Sequence, residues 1–521
     1  MENLQTENNM PSKAVQTAAK TAILMAVLLL CSKCIGFVRE MVMAAFFGTS
    51  YITDAYVMAQ SIPSMLFLGI FGAVATAYIP LLSDYMEKGS QEEGNAFTSR
   101  VINILLVISA LSALVGLFFS DKLTALMAPG FEEETAILTS RYLKITFMYT
   151  VFSATAGILE AYLQYKGTFI PQVIIGYSQS AILIVTIIVS AYTDCYFLAF
   201  GLLIAYIVRL ILMYVMARKK GYRYSLHRGS YGKVFKQIIP LAIPVFIGHC
   251  GYQINMFVDK YLASGLIEGS VSALNYGNLL NGMIMTLSTS VLNTIIYPKI
   301  AQASASDRRD SVIAMSQTGV NLSVLIALPF ALGAIVYSGE IVQIVFERGA
   351  FDVAATELTT GAYRFYSVGM TFMALNTFLT SVAYSIKDTR RPMYFALASV
   401  VVNIVVNLML VGSMQHCGLA LATSCAAAVN SMLLYVGLRH FHGINVVPSW
   451  SKMAKIALAS AVSVGVSYLC YRGLVAAVWM PRMVYLGIAV IIAVGIYPAL
   501  LKIFKIEELN ILTSVLCRRT R

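Results

Sequence analysis

Uninterrupted apolar runs recur along this chain from residue 18 to residue 504, broken by short polar turns. About fourteen of them are long enough to cross roughly 30 Å of hydrocarbon as helices. The runs are continuous; they do not alternate apolar with polar positions, so they predict membrane helices and disfavour a membrane β-barrel. The expected fold is an all-α polytopic membrane protein.

The pattern repeats within the chain. Ala77-Tyr78-Ile79-Pro80 is matched by Ile295-Ile296-Tyr297-Pro298, and Phe131-Glu132 with Leu138-Thr139 by Phe351-Asp352 with Leu358-Thr359. Lys166, Thr168 and Pro171 are matched by Lys387, Thr389 and Pro392, so the three offsets are 218, 220 and 221. An offset spanning six helices returns each copy to the same side of the bilayer, which predicts two lobes in parallel repeat. The expected order is a cytoplasmic tail at 1–17, a six-helix lobe at 18–217, a basic linker at 218–234, a six-helix lobe at 235–440, and two more helices with a cytoplasmic tail at 441–521. Transporters built from such repeats hold substrate at the lobe interface and alternate access to it.

Composition agrees with the membrane reading. Only 12% of residues are charged against 58% hydrophobic, whereas soluble domains carry about a quarter charged residues. The net charge of +12 does not point to nucleic acid, because the basic residues sit in short connections; the densest run is Arg218, Lys219, Lys220, Arg223, Arg228, Lys233 and Lys236. That asymmetry predicts a multi-pass protein of the bacterial cytoplasmic membrane with both termini inside, and with membrane lipids as a second attraction for the basic loops. Most of the eight cysteines lie in apolar spans, and Cys31-x-x-Cys34 has no second ligand pair, so no metal is expected. No Ser-His-Asp order, H-E-x-x-H or phosphate-binding glycine loop appears, so no catalytic residue is assigned.

An ionisable side chain at the bilayer centre costs about 2.5–3.5 kcal/mol, so such residues point to a cavity or a function. The first span carries Lys33, Arg39 and Glu40, with Lys33 and Glu40 on one face. Asp54 opens the second span, where Thr53-Asp54 also suits a helix N-cap, and Pro63 should bend that span. The second lobe is richer in amides: Asn255 and Asp259 in span seven, Asn403 and Asn407 four apart in span eleven, and Thr423 in span twelve. These oxygens suit Na⁺, and interhelical hydrogen bonding accounts for them equally well.

Ser32-Lys33-Cys34-Ile35-Gly36-Phe37-Val38-Arg39-Glu40 resembles the S-R-x-x-G-x-x-R-[DE] signature of the MurJ (MviN) flippases. So do Ala44-Ala45-Phe46-Phe47-Gly48, Thr53-Asp54-Ala55-Tyr56, Ala128-Pro129-Gly130-Phe131, Phe346-Glu347-Arg348-Gly349-Ala350-Phe351 and Lys387-Asp388-Thr389-Arg390-Arg391-Pro392. The resemblance implies membership of the superfamily that includes multidrug extruders. It also implies transport of lipid II, the undecaprenyl-pyrophosphate-linked peptidoglycan precursor, for cell wall biosynthesis. Arg39, Glu40 and Asp54 carry over, and Lys33 stands for an arginine. Phe67 and Leu279 stand where the family has two more arginines, which implies that anion recognition is redistributed to Arg141, Lys144 or Arg364, or that the cargo is another polyprenyl-linked envelope glycan. A cation-coupled small-molecule exporter is the third class; a cationic cavity disfavours cationic drugs. The resemblance further implies coupling to Na⁺, H⁺ or membrane potential through Asn255, Asn403, Asn407 and Thr423, a set without acid ligands. A monomer working beside the cell-wall synthesis machinery is expected.

Overall fold

The computed structural model describes residues 12–510 apart from 169, 226–230, 307, 447–448 and 478. The expected tail before residue 12, Arg228 of the linker and the tail beyond 510 lie outside the described residues. Among the described residues there is no strand. The helices are α1 (Ser12–Phe47), α2 (Tyr51–Pro63), α3 (Gly69–Lys88), α4 (Gln91–Met127), α5 (Glu133–Tyr165), α6 (Ile170–Tyr192), α7 (Phe197–Lys219) and α8 (Tyr231–Ala263). They continue as α9 (Ser270–Ile295), α10 (Tyr297–Ala305), α11 (Arg309–Val336), α12 (Ser338–Phe346), α13 (Val353–Ser385), α14 (Arg390–His442), α15 (Trp450–Ala477) and α16 (Arg482–Ile503).

Eight of the described helices are long and apolar enough to cross a bilayer, or nine if α2 and α3 form one bent span. α14 counts once in that tally yet holds two helices, because Gln415 has non-helical angles (φ 50°, ψ −135°). α1 is not in that tally, although residues 21–38 carry a single charged side chain, Lys33. The larger number expected from the sequence, about fourteen, is not reached among the described residues. Pro63 behaves as expected: α2 ends on it, a π turn follows at Ser64–Leu68, and the pair bends by 44°. A proline leaves a carbonyl without its usual donor, and a local change of helix type absorbs the break.

The internal repeat is legible in helix bounds. α5 and α13 each run 33 residues, from 133 and 353 to 165 and 385, an offset of 220 at both ends. Their N-caps are extended at Glu132 and Asp352; Asp352 accepts the Ala355 N–H at 2.8 Å, satisfying an otherwise unpaired amide. Past their C-terminal ends, Gly167 (φ 71°) and Lys387 (φ 62°) occupy the same left-handed position. The backbone register at this turn is therefore 220, one less than the side-chain match of Lys166 with Lys387.

The chain divides into two compact units. The first holds residues up to 47, 55–127 and 132–250; the second holds 48–54, 128–131 and everything from 251. The boundary between these units falls inside α8, beyond the 218–234 linker. The physical reason is apolar: Val234, Ile238 and Ala242 share a buried core with Phe71 and Ala73 of α3 and Val101 and Leu105 of α4, and burying them there removes their surface from the surroundings. The core of the second unit gathers Leu292, Phe378, Val382 and Leu434.

Candidate functional site

In the first unit, α1 packs its small-residue face on α6. Ser32 is buried, and a Cβ at Gly176 would come within 1.8 Å of its hydroxyl. That packing fixes where the charges of α1 point. Lys33 is exposed and makes no ion pair among the described residues. Arg39 forks onto the adjacent Glu40, with Nε donating to Oε1 at 3.1 Å and Nη2 making a second, shorter contact to the same oxygen. Both are largely shielded, at 30% and 19% side-chain exposure. In a low-dielectric span the pairing offsets the cost of holding either charge alone.

Phe67 is a packing residue. It meets Phe147 edge to face at 6.0 Å between ring centroids. Of the residues offered as substitutes, Arg141 is exposed, hydrogen-bonds the Tyr196 hydroxyl and lies over its ring at 5.4 Å. Lys144 is half-buried one turn further along α5. In the second unit, Arg364 donates from Nε to the Ser338 hydroxyl at 3.0 Å; it sits 220 residues after Lys144, at the repeat-equivalent position of α13.

A further pair of intramembrane charges was not singled out from the sequence. Arg209 of α7 donates to Glu160 of α5 at 2.9 Å and lies over the Tyr206 ring at 5.8 Å. Both line a cavity of about 410 Å³ bounded by α3, α5 and α7. The signal was present as a lone acid and a lone arginine in apolar helices; their separation of 49 residues hid the pairing.

Asp54 belongs to the second unit, and its partners are structural. It is buried, with Oδ2 accepting the Gly269 N–H at 2.8 Å and Oδ1 the Ser272 N–H at 2.7 Å. It therefore caps α9; at the start of its own helix the Tyr51 N–H donates to the Glu268 carboxylate at 2.7 Å, and the Thr53 hydroxyl donates to the Gly48 carbonyl at 3.0 Å. A carboxylate at a helix N-terminus satisfies open amides and complements the helix dipole. Gly269 allows the approach: φ is 85°, and a Cβ there would meet the Thr49 carbonyl at 2.3 Å.

The amide residues of the second unit do converge. Asn403 and Asn407 of α14 are fully buried, and Asn407 Nδ2 donates to Asn403 Oδ1 at 2.9 Å. The same Nδ2 donates to Asp259 Oδ1 at 2.7 Å, and the Thr423 hydroxyl donates to Asp259 Oδ2 at 2.8 Å. Asp259 of α8 is thus the acid that the sequence reading lacked, which corrects the expectation of a set without one. Asn255 lies one turn before it, and Asn255 Oδ1 and Asn407 Oδ1 are buried without a hydrogen-bond partner. One carboxylate with amide and hydroxyl oxygens is a hard donor set, and two unpaired buried acceptors leave capacity for a cation. Among the described residues no group of three His, Cys, Asp or Glu is placed to hold a metal ion.

The family model described as lipid II flippase MurJ matches residues 43–495. A probable lipid II flippase MurJ of Rickettsia prowazekii (strain Madrid E) is 26% identical over 429 residues, covering 80% of this chain and 83% of that one. A probable lipid II flippase MurJ of Rhizobium meliloti (strain 1021) is 28% identical over 455 residues, covering 84% of each. A solved lipid II flippase MurJ in an inward closed conformation aligns with a TM-score of 0.79 at 23% identity, covering 92% of this chain and 98% of that chain. A multidrug resistance MATE family transporter of the MOP superfamily aligns at 0.65 with 11% identity, covering 80% and 98%. These two likenesses are of fold.

Proposed function

The chain belongs to the MurJ lipid II flippase family, and from that premise we propose that it carries lipid II from the cytoplasmic to the outer leaflet of the bacterial inner membrane. It is a transporter, not an enzyme. The observation that carries the reading is the family match over residues 43–495, which takes in both units. The arginine of α1 supports it: a shielded guanidinium within the bilayer suits a phosphate-bearing head group, which accepts two parallel hydrogen bonds from it. The basic run at 218–220 and 223 supports an orientation with both termini in the cytoplasm.

The cluster around Asp259 supports coupling to a monovalent cation, Na⁺ or H⁺. The carboxylate receives its hydrogen bonds from neutral groups, Asn407 and Thr423, so a bound cation would offset the cost of a buried negative charge. Asp259, Asn403, Asn407 and Thr423 would hold it, and occupancy would bias the second unit between two conformations by its differential affinity for them.

The test is complementation. Expression of this chain in a bacterium depleted of its own lipid II flippase is expected to restore growth and cell shape. Lysis despite normal membrane abundance of the protein would reject the proposal.

A further inference from the structure

The charges of α5 and α7 call for a role, because isolated ionisable groups at bilayer depth are costly. Arg209 and Glu160 are each less than a fifth exposed, and they line an open cavity with Thr76, Ser153, Gln164 and Tyr206. The guanidinium is incompletely satisfied: Nη2 reaches Glu160, while Nε is buried with no hydrogen-bond partner. The cavity is also kept open. Gly72 and Gly157 line it, and a Cβ built on either would meet nothing within 4 Å. The Tyr206 ring, over which Arg209 lies at 5.8 Å, stacks in turn on Tyr149 at 4.4 Å.

We propose that Arg209 and the cavity bounded by α3, α5 and α7 form a clamp for a diphosphate. Glu160 holds the guanidinium through Nη2 and leaves Nε without a partner, and an arriving diphosphate takes the place of that carboxylate. The inference rests on the flippase reading and adds a residue and a subsite to it.

Partner exchange has a signature that a merely structural ion pair lacks. Removing the arginine should weaken anion binding, and removing the carboxylate should strengthen it. The full-length protein in nanodiscs is titrated with farnesyl pyrophosphate, with farnesol as the uncharged control and inorganic pyrophosphate as the tail-less one. Arg209→Gln is expected to weaken farnesyl pyrophosphate binding about tenfold or more, Arg209→Lys less so, and Glu160→Gln to tighten it several-fold. Gly157→Leu, which fills the cavity without touching a charge, is expected to weaken it as well. Farnesol binding should not change in Arg209→Gln. Wild-type affinity in a folded Arg209→Gln, or unchanged or weaker binding in Glu160→Gln, would overturn the clamp. If Arg209→Gln does not fold, Glu160→Gln decides alone. A wild-type chain that fails complementation rejects the flippase reading instead, so the two failures are distinguishable.

Discussion

Asn407 donates its side-chain amide to Asp259 across 2.7 Å, joining α14 to α8 over 148 residues of sequence. The contact brings three neutral oxygen-bearing residues onto one buried carboxylate. A cation bound there stabilises the folded protein by mass action, by about 2.7 kcal/mol at a hundredfold excess over its dissociation constant. Wild-type protein is expected to melt higher in NaCl than in choline chloride at equal ionic strength. Asp259→Asn should abolish the difference, and Thr423→Ala should reduce the cation affinity by tenfold or more. A sodium-dependent shift that survives in Asp259→Asn would show that the ion binds elsewhere; its absence in wild type would leave H⁺ as the coupling ion.

The Arg39–Glu40 pair predicts an asymmetry within α1. Arg39→Ala should lose complementation, since it removes the cation and strands a carboxylate at 19% exposure. Lys33→Ala should lose far less, because Lys33 is exposed and anchors nothing among the described residues. The double substitution Arg39→Gln with Glu40→Gln restores charge balance without restoring the cation. It is expected to recover membrane abundance and not activity; recovery of both would reduce Arg39 to a structural role.

For Asp54 the expected phenotype is one of stability. Asp54→Ala uncaps α9 and leaves two buried amides, at positions 269 and 272, without their acceptor. Loss of such a cap costs about 0.5–2 kcal/mol. The melting temperature should fall while affinity for farnesyl pyrophosphate in the surviving folded fraction stays as in wild type. Asp54→Asn, which keeps one acceptor oxygen, should fall less. A drop in affinity with no change in melting would return Asp54 to the substrate site.

At the turn between α13 and α14, Asp388 accepts from His442 at 2.8 Å and from the Arg391 guanidinium at 3.0 Å. Burial alone would push its carboxyl up, but the hydrogen bonds from His442 and Arg391 outweigh that and hold it below its ordinary value. A carboxyl lowered in the folded state stabilises fully above the unfolded pKa, about 3.9, and loses that contribution as pH falls through the lower folded value. The melting-temperature gap between wild type and Asp388→Asn should therefore persist down to about pH 5 and begin to close as pH falls below about 4. A gap that does not narrow as pH falls below about 4 would mean that the carboxylate charge is not what stabilises the turn.

How much of this was legible in the sequence follows from the range over which each signal acts. Helix-length apolar runs are local, and the kink at Pro63 is a property of one residue, so both were readable. The repeat was readable because α5 and α13 begin and end 220 residues apart. Asn403 and Asn407 were readable as neighbours because they are one helical turn apart. Asp259 was visible but not assigned, since its partners lie 148 and 164 residues away. Asp54 satisfied the pattern for an N-cap, and only the fold shows that the helix it caps is α9. Arg209 and Glu160 each read as one charge in an apolar helix, and sequence alone does not bring α5 onto α7.

The most direct test of the account is the leaflet distribution of lipid II in a host that depends on this chain as its only flippase. On depletion, lipid II is predicted to accumulate in the cytoplasmic leaflet, and re-expression of wild type, but not of Arg39→Ala, is predicted to return it to the outer one. Lipid II that still reaches the outer leaflet at the normal rate after depletion would contradict the account.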